Sequence, residues 1–110
     1  MENIINHFNK YLPLDEEEKL ALTSRLTERK IKRRQFLLQE GDVCKSFTYV
    51  QSGCFKMYGV DDKGVEHNLA FAVEDDWTSD IGSLHKEQPS RLFIEAIEPS
   101  VVLQLSKGDL

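Results

Sequence analysis

Residues 46–73 read SFTYVQSGCFKMYGVDDKGVEHNLAFAV, and this stretch decides the fold. Three runs rich in aromatic and β-branched residues are separated by turns that contain Gly53 and Gly64. Such residues favour strands on a half-buried sheet surface, and glycine accepts the positive φ that a tight turn needs. The stretch therefore predicts three successive strands, with a hairpin at the Asp-Lys-Gly turn that ends on Gly64.

The strand pattern continues on both sides of this stretch. Upstream, RKIKRRQFLLQ (residues 29–39) leads into a Glu-Gly-Asp turn. Downstream, RLFIEAI (91–97) and SVVLQLS (100–106) are separated by a Glu-Pro pair. Short strands at such regular intervals are typical of a sandwich, roll or barrel, so we expect a mainly β domain of about eight strands.

The first quarter of the chain has a helical periodicity instead. Four apolar residues recur at spacings of one, three and four before Pro13 interrupts them. Asp15 then precedes Glu18 by three residues, a capping pattern that opens a second helix. Leu22 and Leu26 lie one turn apart and supply the inner face of that helix. The four apolar residues of the first helix are Ile4, Ile5, Phe8 and Leu12.

The charge balance argues against a domain that grips nucleic acid. The chain has 110 residues and a net charge of −5, whereas binding to phosphate backbones depends on Lys and Arg. The one basic cluster is RKIKRR at residues 29–34. It is either a contact for nucleic acid or an acidic partner, or a solvated strand edge whose charges discourage aggregation. We favour the strand edge.

The sequence predicts a cytoplasmic domain. The first residues, MENIINHFNKYL, lack the basic region and long apolar run of a signal peptide. No apolar stretch approaches the roughly 20 residues that span a bilayer. Cys44 and Cys54 show neither the multiple pairs of a secreted domain nor a CxxC metal spacing. We expect two reduced thiols, with a disulfide as the alternative.

The histidines test an enzymatic alternative, because a β roll can also be a cupin-like metal enzyme. Such a site needs clustered histidines and a carboxylate. His7, His67 and His85 are scattered along the chain without an HxH pair. No serine or cysteine has an evident neighbouring base either. The sequence therefore predicts no catalytic site, no metal site and no enzymatic activity.

One interval breaks the strand pattern and is called the cassette here: residues 75–90, DDWTSDIGSLHKEQPS. Serine and aspartate favour helix starts, so we expect a short helical turn that begins near Thr78 or Ser79. Unpaired amides at a helix start attract anions. The cassette is therefore the predicted place for a small anionic ligand.

Two motifs, FLLQEGD (36–42) and YVQSGCFK (49–56), resemble the cyclic-nucleotide-binding domain of the Crp/Fnr family of bacterial transcription regulators. The resemblance covers nearly the whole chain and implies a double-stranded β-helix, or jelly roll. It divides the chain into a helical prelude (1–26), the roll (27–105) and the start of a further helix (106–110). It further implies a homodimer in the full-length protein. DNA would be bound through a C-terminal helix-turn-helix that this chain does not contain, with no role for a membrane.

The same resemblance places the ligand site on the cassette. The family's Gly-Glu pair, whose carboxylate accepts a hydrogen bond from the ribose hydroxyl, falls on Ser79 and Asp80. Its phosphate-binding arginine falls on Ser90, with Arg91 one residue later, and a shift of one residue turns a strand side chain to the other face. The sequence thus disfavours cAMP or cGMP and leaves another small anion or no ligand. The candidate ligand-binding residues are Ser79, Asp80, Ile81, Gly82, Ser83, Ser90 and Arg91.

Several alternatives stay open from the sequence. Asp80 is either a ligand carboxylate or a helix cap, and Arg91 either binds a phosphate or is an exposed strand residue. Trp77 either lines a pocket or anchors the cassette to the core. The expected function is an effector-sensing domain of a transcription regulator. The alternatives are a regulatory domain of a kinase or channel and a ligand-free dimerisation scaffold.

Overall fold

The computed structural model describes residues 15–106, apart from the side chains of residues 18, 19 and 21–23. The predicted first helix, the inner-face role of Leu22 and the helix start after Ser106 lie outside this description. Two short helices and eight strands occupy the described range. In chain order they are α1 (Glu16–Arg25), β1 (Thr27–Ile31), β2 (Phe36–Leu38), β3 (Ser46–Ser52), β4 (Phe55–Val60), β5 (Glu66–Ala72), β6 (Trp77–Thr78), α2 (Ile81–Lys86), β7 (Leu92–Ala96) and β8 (Ser100–Ser106).

The strands form two four-stranded antiparallel sheets. The first sheet has the order β1-β8-β3-β6 and the second has the order β2-β7-β4-β5. Apart from the consecutive strands β4 and β5, the paired strands are separated in sequence, and β7 and β8 each return to lie between two earlier strands. This double wrapping confirms the prediction of a mainly β roll.

The main core lies between the two sheets. Val50 and Val102 are opposite each other in the first sheet, and Phe55 and Ala96 are opposite each other in the second; none of the four is more than 1% exposed. Since successive strand residues point to opposite faces, Tyr49 lies on the other face of the first sheet. There it packs in a second buried cluster, so the first sheet is covered on both faces.

The hairpin predicted at Gly64 is confirmed. Gly64 has a φ of +81° and joins β4 to β5. The carboxylate of Asp61 accepts hydrogen bonds from the amides of Lys63 (2.9 Å) and Val65 (3.0 Å), which fixes the turn from inside. Local residues thus set the register of this hairpin, as is common for tight turns.

One detail of the strand pattern differs from the prediction. Residues 29–39 form two strands in different sheets, because a turn with Arg34 at φ +70° separates β1 from β2. The basic cluster is therefore divided between β1 and this turn. Since β1 is an edge strand with residues 27–30 exposed, its position agrees with the interpretation as a solvated edge.

Candidate functional site

The cassette begins with a strand, not with a helix. Trp77 and Thr78 pair with β3, and α2 starts at Ile81, two or three residues later than predicted. Asp80 is the N-cap: its backbone is extended, and its Oδ1 accepts a hydrogen bond from the amide of Ser83 at 3.1 Å. The expectation placed the start too early because pairing with β3 holds residues 77–78 in an extended conformation. Of the two roles open for Asp80, the cap is the one seen.

The second oxygen of Asp80 is also occupied by the protein itself. The hydroxyl of Ser90 donates to Oδ2 of Asp80 at 2.5 Å, and the same hydroxyl accepts a hydrogen bond from the amide of Leu92 at 3.0 Å. Ser90 is only 3% exposed. Residues 80 and 90 are the two positions on which the resemblance places the family's ribose-binding carboxylate and phosphate-binding arginine. Here they bind each other, so the start of α2 is joined directly to the last residue of the cassette.

Ser83 ties the cassette to the segment between β2 and β3. Its hydroxyl accepts a hydrogen bond from the amide of Cys44 at 2.9 Å and donates one to the carbonyl of Gln88 at 2.6 Å. Ser79 makes a parallel link, because its hydroxyl donates to the carbonyl of Ser46 at 2.9 Å. The hydroxyls of Ser79 and Ser83 therefore hold the cassette on the roll at two nearby positions.

Ile81 and Gly82 are the remaining candidates within α2. The Ile81 side chain is 59% exposed, and a Cβ built on Gly82 would approach Oδ1 of Asp80 to 3.5 Å, an ordinary contact. Gly82 therefore lies beside the Asp80 carboxylate, and Ile81 is the residue between them in the chain. An anion placed at their amides would face that negative charge, which disfavours its binding.

Arg91 does not join the other candidates. Ser90 is buried and Arg91 is exposed, so of the two roles open for Arg91 the structure agrees with the exposed one. Arg91 lines a separate groove of about 520 Å³ together with Glu40, Asp61 and His67. Nε2 of His67 lies 2.8 Å from Oδ2 of Asp61, and this hydrogen bond, with the backbone amides of Val65 and Lys63, holds the pKa of Asp61 below its usual value. The lowered pKa of Asp61 favours its charged form, and this negative charge in the groove does not suit a cyclic phosphate.

Trp77 anchors the cassette. Its ring packs edge-on against Tyr49 with centroids 5.4 Å apart, in the cluster on the outer side of the first sheet. The Tyr49 hydroxyl in turn donates to the carboxylate of Asp75, and burial followed by this hydrogen bond raises the pKa of Tyr49 above its usual range. Asp75 has a φ of +72°, so the tyrosine fixes an unusual backbone conformation at the entrance to the cassette.

Sequence reasoning missed the contribution of the 42–46 segment. Cys44 was considered only for its thiol, which is free and buried, whereas its amide is the group that binds Ser83. The isolated bridge between Val43 and Pro89 adds a further contact to the cassette. The one sequence signal for these contacts was the excess of serine in the cassette, since short hydroxyls commonly bond to nearby backbone.

Replacing Asp80 with alanine should destabilise the domain by about 2 kcal/mol, because it removes the cap of α2 and leaves the buried Ser90 hydroxyl without its acceptor. Urea unfolding followed by circular dichroism measures the change. Asp62→Ala is the matched control, since it removes an exposed carboxylate of the β4–β5 hairpin. Equal losses for the two variants would contradict a structural role for the Asp80–Ser90 pair.

Comparison with known protein families identifies a match for this chain. A family model described as the cyclic nucleotide-binding domain matches residues 28–110. A search of curated proteins found no match.

Within residues 15–106 no helix is long and apolar enough to cross a membrane, and no group of three or more His, Cys, Asp or Glu residues could hold a metal ion.

Solved structures share the fold. The Thermus thermophilus catabolite activator protein is 24% identical, with a TM-score of 0.78 over 90% of this chain and 46% of that chain. The N-terminal domain of a transcriptional regulator from Streptomyces coelicolor A3(2) is 26% identical, with a TM-score of 0.75 over 94% of this chain and 71% of that one. The regulatory subunit of a cAMP-independent protein kinase A from Trypanosoma brucei is 19% identical, with a TM-score of 0.74 over 91% and 38%. This chain thus spans less than half the length of the Thermus protein.

Proposed function

This chain belongs to the cyclic nucleotide-binding domain family, and on that premise we propose that it is the effector-sensing domain of a Crp/Fnr-like transcription regulator that does not use a cyclic nucleotide. In this proposal the domain is cytoplasmic and has no enzymatic activity. The full-length protein is a homodimer that binds DNA through a helix-turn-helix outside this chain. The 26% identity to the N-terminal domain of a transcriptional regulator supports this output.

The proposal rests on one observation, the hydrogen bond between Asp80 and Ser90. A cyclic phosphate needs a cation at the end of the cassette, because a guanidinium grips its oxygens with two parallel hydrogen bonds. Ser90 has no charge and is bound to the carboxylate of Asp80 instead. A phosphate that entered here would have to break this bond and lie beside the Asp80 side chain.

Among the candidate residues, we assign two different roles. Ser79, Asp80, Ser83 and Ser90 hold the cassette in one conformation without a ligand, since each side chain has a partner in the protein. The remaining candidates are exposed and could contact an effector; they are Ile81, Gly82 and Arg91. An effector changes the output only through its different affinity for two arrangements of the cassette.

Isothermal titration calorimetry of the 110-residue chain tests the cyclic nucleotide part of the proposal. We expect no saturable heat with cAMP or cGMP up to millimolar concentration, because the Asp80–Ser90 pair occupies the phosphate position. A cyclic nucleotide-binding domain of known affinity, titrated with the same solutions, serves as the positive control. Micromolar binding of either nucleotide would refute this part.

The coding sequence that follows residue 110 tests the output independently. A helix-turn-helix there supports the transcription regulator. Kinase or channel sequences would favour a regulatory domain of another type, an alternative to which the structural likeness to a kinase regulatory subunit gives weight. This result does not depend on the nucleotide titration, so the two parts of the proposal can fail separately.

A further inference from the structure

A second cavity shares no lining residue with the groove that Arg91 lines. Its volume is about 310 Å³, at the lower end of the range for small-molecule sites. The buried residues Leu38 and Cys44 form part of its wall, and Arg29 and Lys45 stand at its exposed rim. It therefore combines a partly apolar wall with two cations.

The position of Gln104 shows that this cavity opens between the sheets. Gln104 is two residues from Val102 on β8, so the two side chains share a face, and Val102 belongs to the core between the sheets. Thr48 is directly opposite Gln104 on β3. At least one residue that lines the cavity, Gln104, thus belongs to the inner face of the first sheet.

A chain of hydrogen bonds orients Arg29. Nε2 of Gln104 donates to Oγ1 of Thr48 at 3.0 Å, and Nη1 of Arg29 donates to Oε1 of Gln104 at 3.1 Å. Thr48 is only 3% exposed, so the chain is fixed at its inner end. A guanidinium held in this way loses less conformational entropy when it binds an anion.

The charges at the cavity also favour an anion. Within residues 15–106, no carboxylate forms an ion pair with Arg29 or Lys45. Asp42 is the one carboxylate among the lining residues, and its Oδ2 accepts a hydrogen bond from the amide of Gln39 at 3.2 Å. The ionised groups of the lining therefore carry a net positive charge, although the chain as a whole carries −5.

We propose that this cavity binds a small organic anion through a carboxylate or phosphate head group. Arg29 grips two oxygens of the head group, Lys45 supplies a second charge, and the apolar wall contacts the body of the ligand. The site is distinct from the cassette and does not depend on the function proposed above. It nevertheless borders the cassette, because the amide of Cys44 and the carbonyl of Ser46 bind Ser83 and Ser79.

Nuclear magnetic resonance titration of the ¹⁵N-labelled 110-residue chain tests this proposal, with inorganic phosphate and succinate as separate probes. We expect saturating shifts of the amide signals of Cys44, Lys45 and Ser46 with at least one of them. The probe that saturates at the lower concentration identifies the preferred head group. Because both cations are exposed, affinity should be modest, and Arg29→Gln should weaken binding about fivefold.

Lys30→Gln is the matched control, since it removes the same charge from the adjacent residue of β1, on the opposite face. It should leave the apparent affinity unchanged. If neither probe saturates, or if Lys30→Gln weakens binding as much as Arg29→Gln, the proposal is wrong and the shifts report general charge screening. A far-ultraviolet circular dichroism spectrum of each variant confirms that it is folded before the comparison is made.

Discussion

Replacing Gly53 with alanine is expected to destabilise the domain by about 3 kcal/mol or more, by combining backbone strain with overpacking. Gly53 has a φ of +102°, a conformation that residues with a Cβ rarely adopt. A Cβ at this position would also lie 2.7 Å from Cα of Ser100, which is backbone and cannot move without shifting β8. Urea unfolding measured by tryptophan fluorescence gives the change in free energy.

The control for this variant is Gly64→Ala. Gly64 also has a positive φ, at +81°, but a Cβ there has nothing within 4 Å. The Gly64→Ala variant therefore measures the cost of backbone strain without overpacking, and we expect it to lower the free energy of unfolding by about 1 kcal/mol. A Gly53 variant that loses no more than the Gly64 variant would show that the turn can move away from Ser100.

Replacing Phe55 with alanine should cost about 4 kcal/mol, the usual range for removing a buried aromatic ring from a core. Phe55 is 1% exposed and packs between the sheets beside Val50 and Ile94. The cavity left behind cannot collapse easily, because strands on both sides constrain its walls. The midpoint of urea unfolding should fall sharply while the m-value stays unchanged.

Phe71 provides the matched control for this second experiment. It is on the neighbouring strand β5, yet its side chain is 59% exposed. Phe71→Ala removes the same ring from a solvent-exposed place and should change the free energy of unfolding by less than about 0.5 kcal/mol. Similar losses for both variants would mean that Phe55 contributes no more than an exposed ring.

The strands from β3 to β5 could be predicted because their signals are local. Alternation, aromatic residues and a glycine at each turn all lie within 28 neighbouring residues. The short strand β6 was not predicted, since two residues carry no periodicity and owe their conformation to pairing with Tyr49 and Thr48. Tertiary pairing here overrides the helix-start preference of Thr78 and Ser79.

The candidate site was predictable only in part, for a similar reason. Aligning the sequence on a family motif predicted that the position of the family's arginine falls on Ser90, and it left two roles open for Arg91. It could not show that the Ser90 hydroxyl reaches Asp80, because that contact depends on how α2 and the residues after it bring positions 80 and 90 together. The cavity at Arg29 could not be predicted from local sequence at all, because Arg29 and Gln104 are 75 positions apart.

Ser46 connects the last residue of β8 to the cassette. It pairs with Ser106, the last residue of β8, while its carbonyl oxygen holds the hydroxyl of Ser79. We therefore expect a displacement of the backbone at Ser106 to reach the cassette through Ser46 alone, by one strand pairing and one side-chain hydrogen bond.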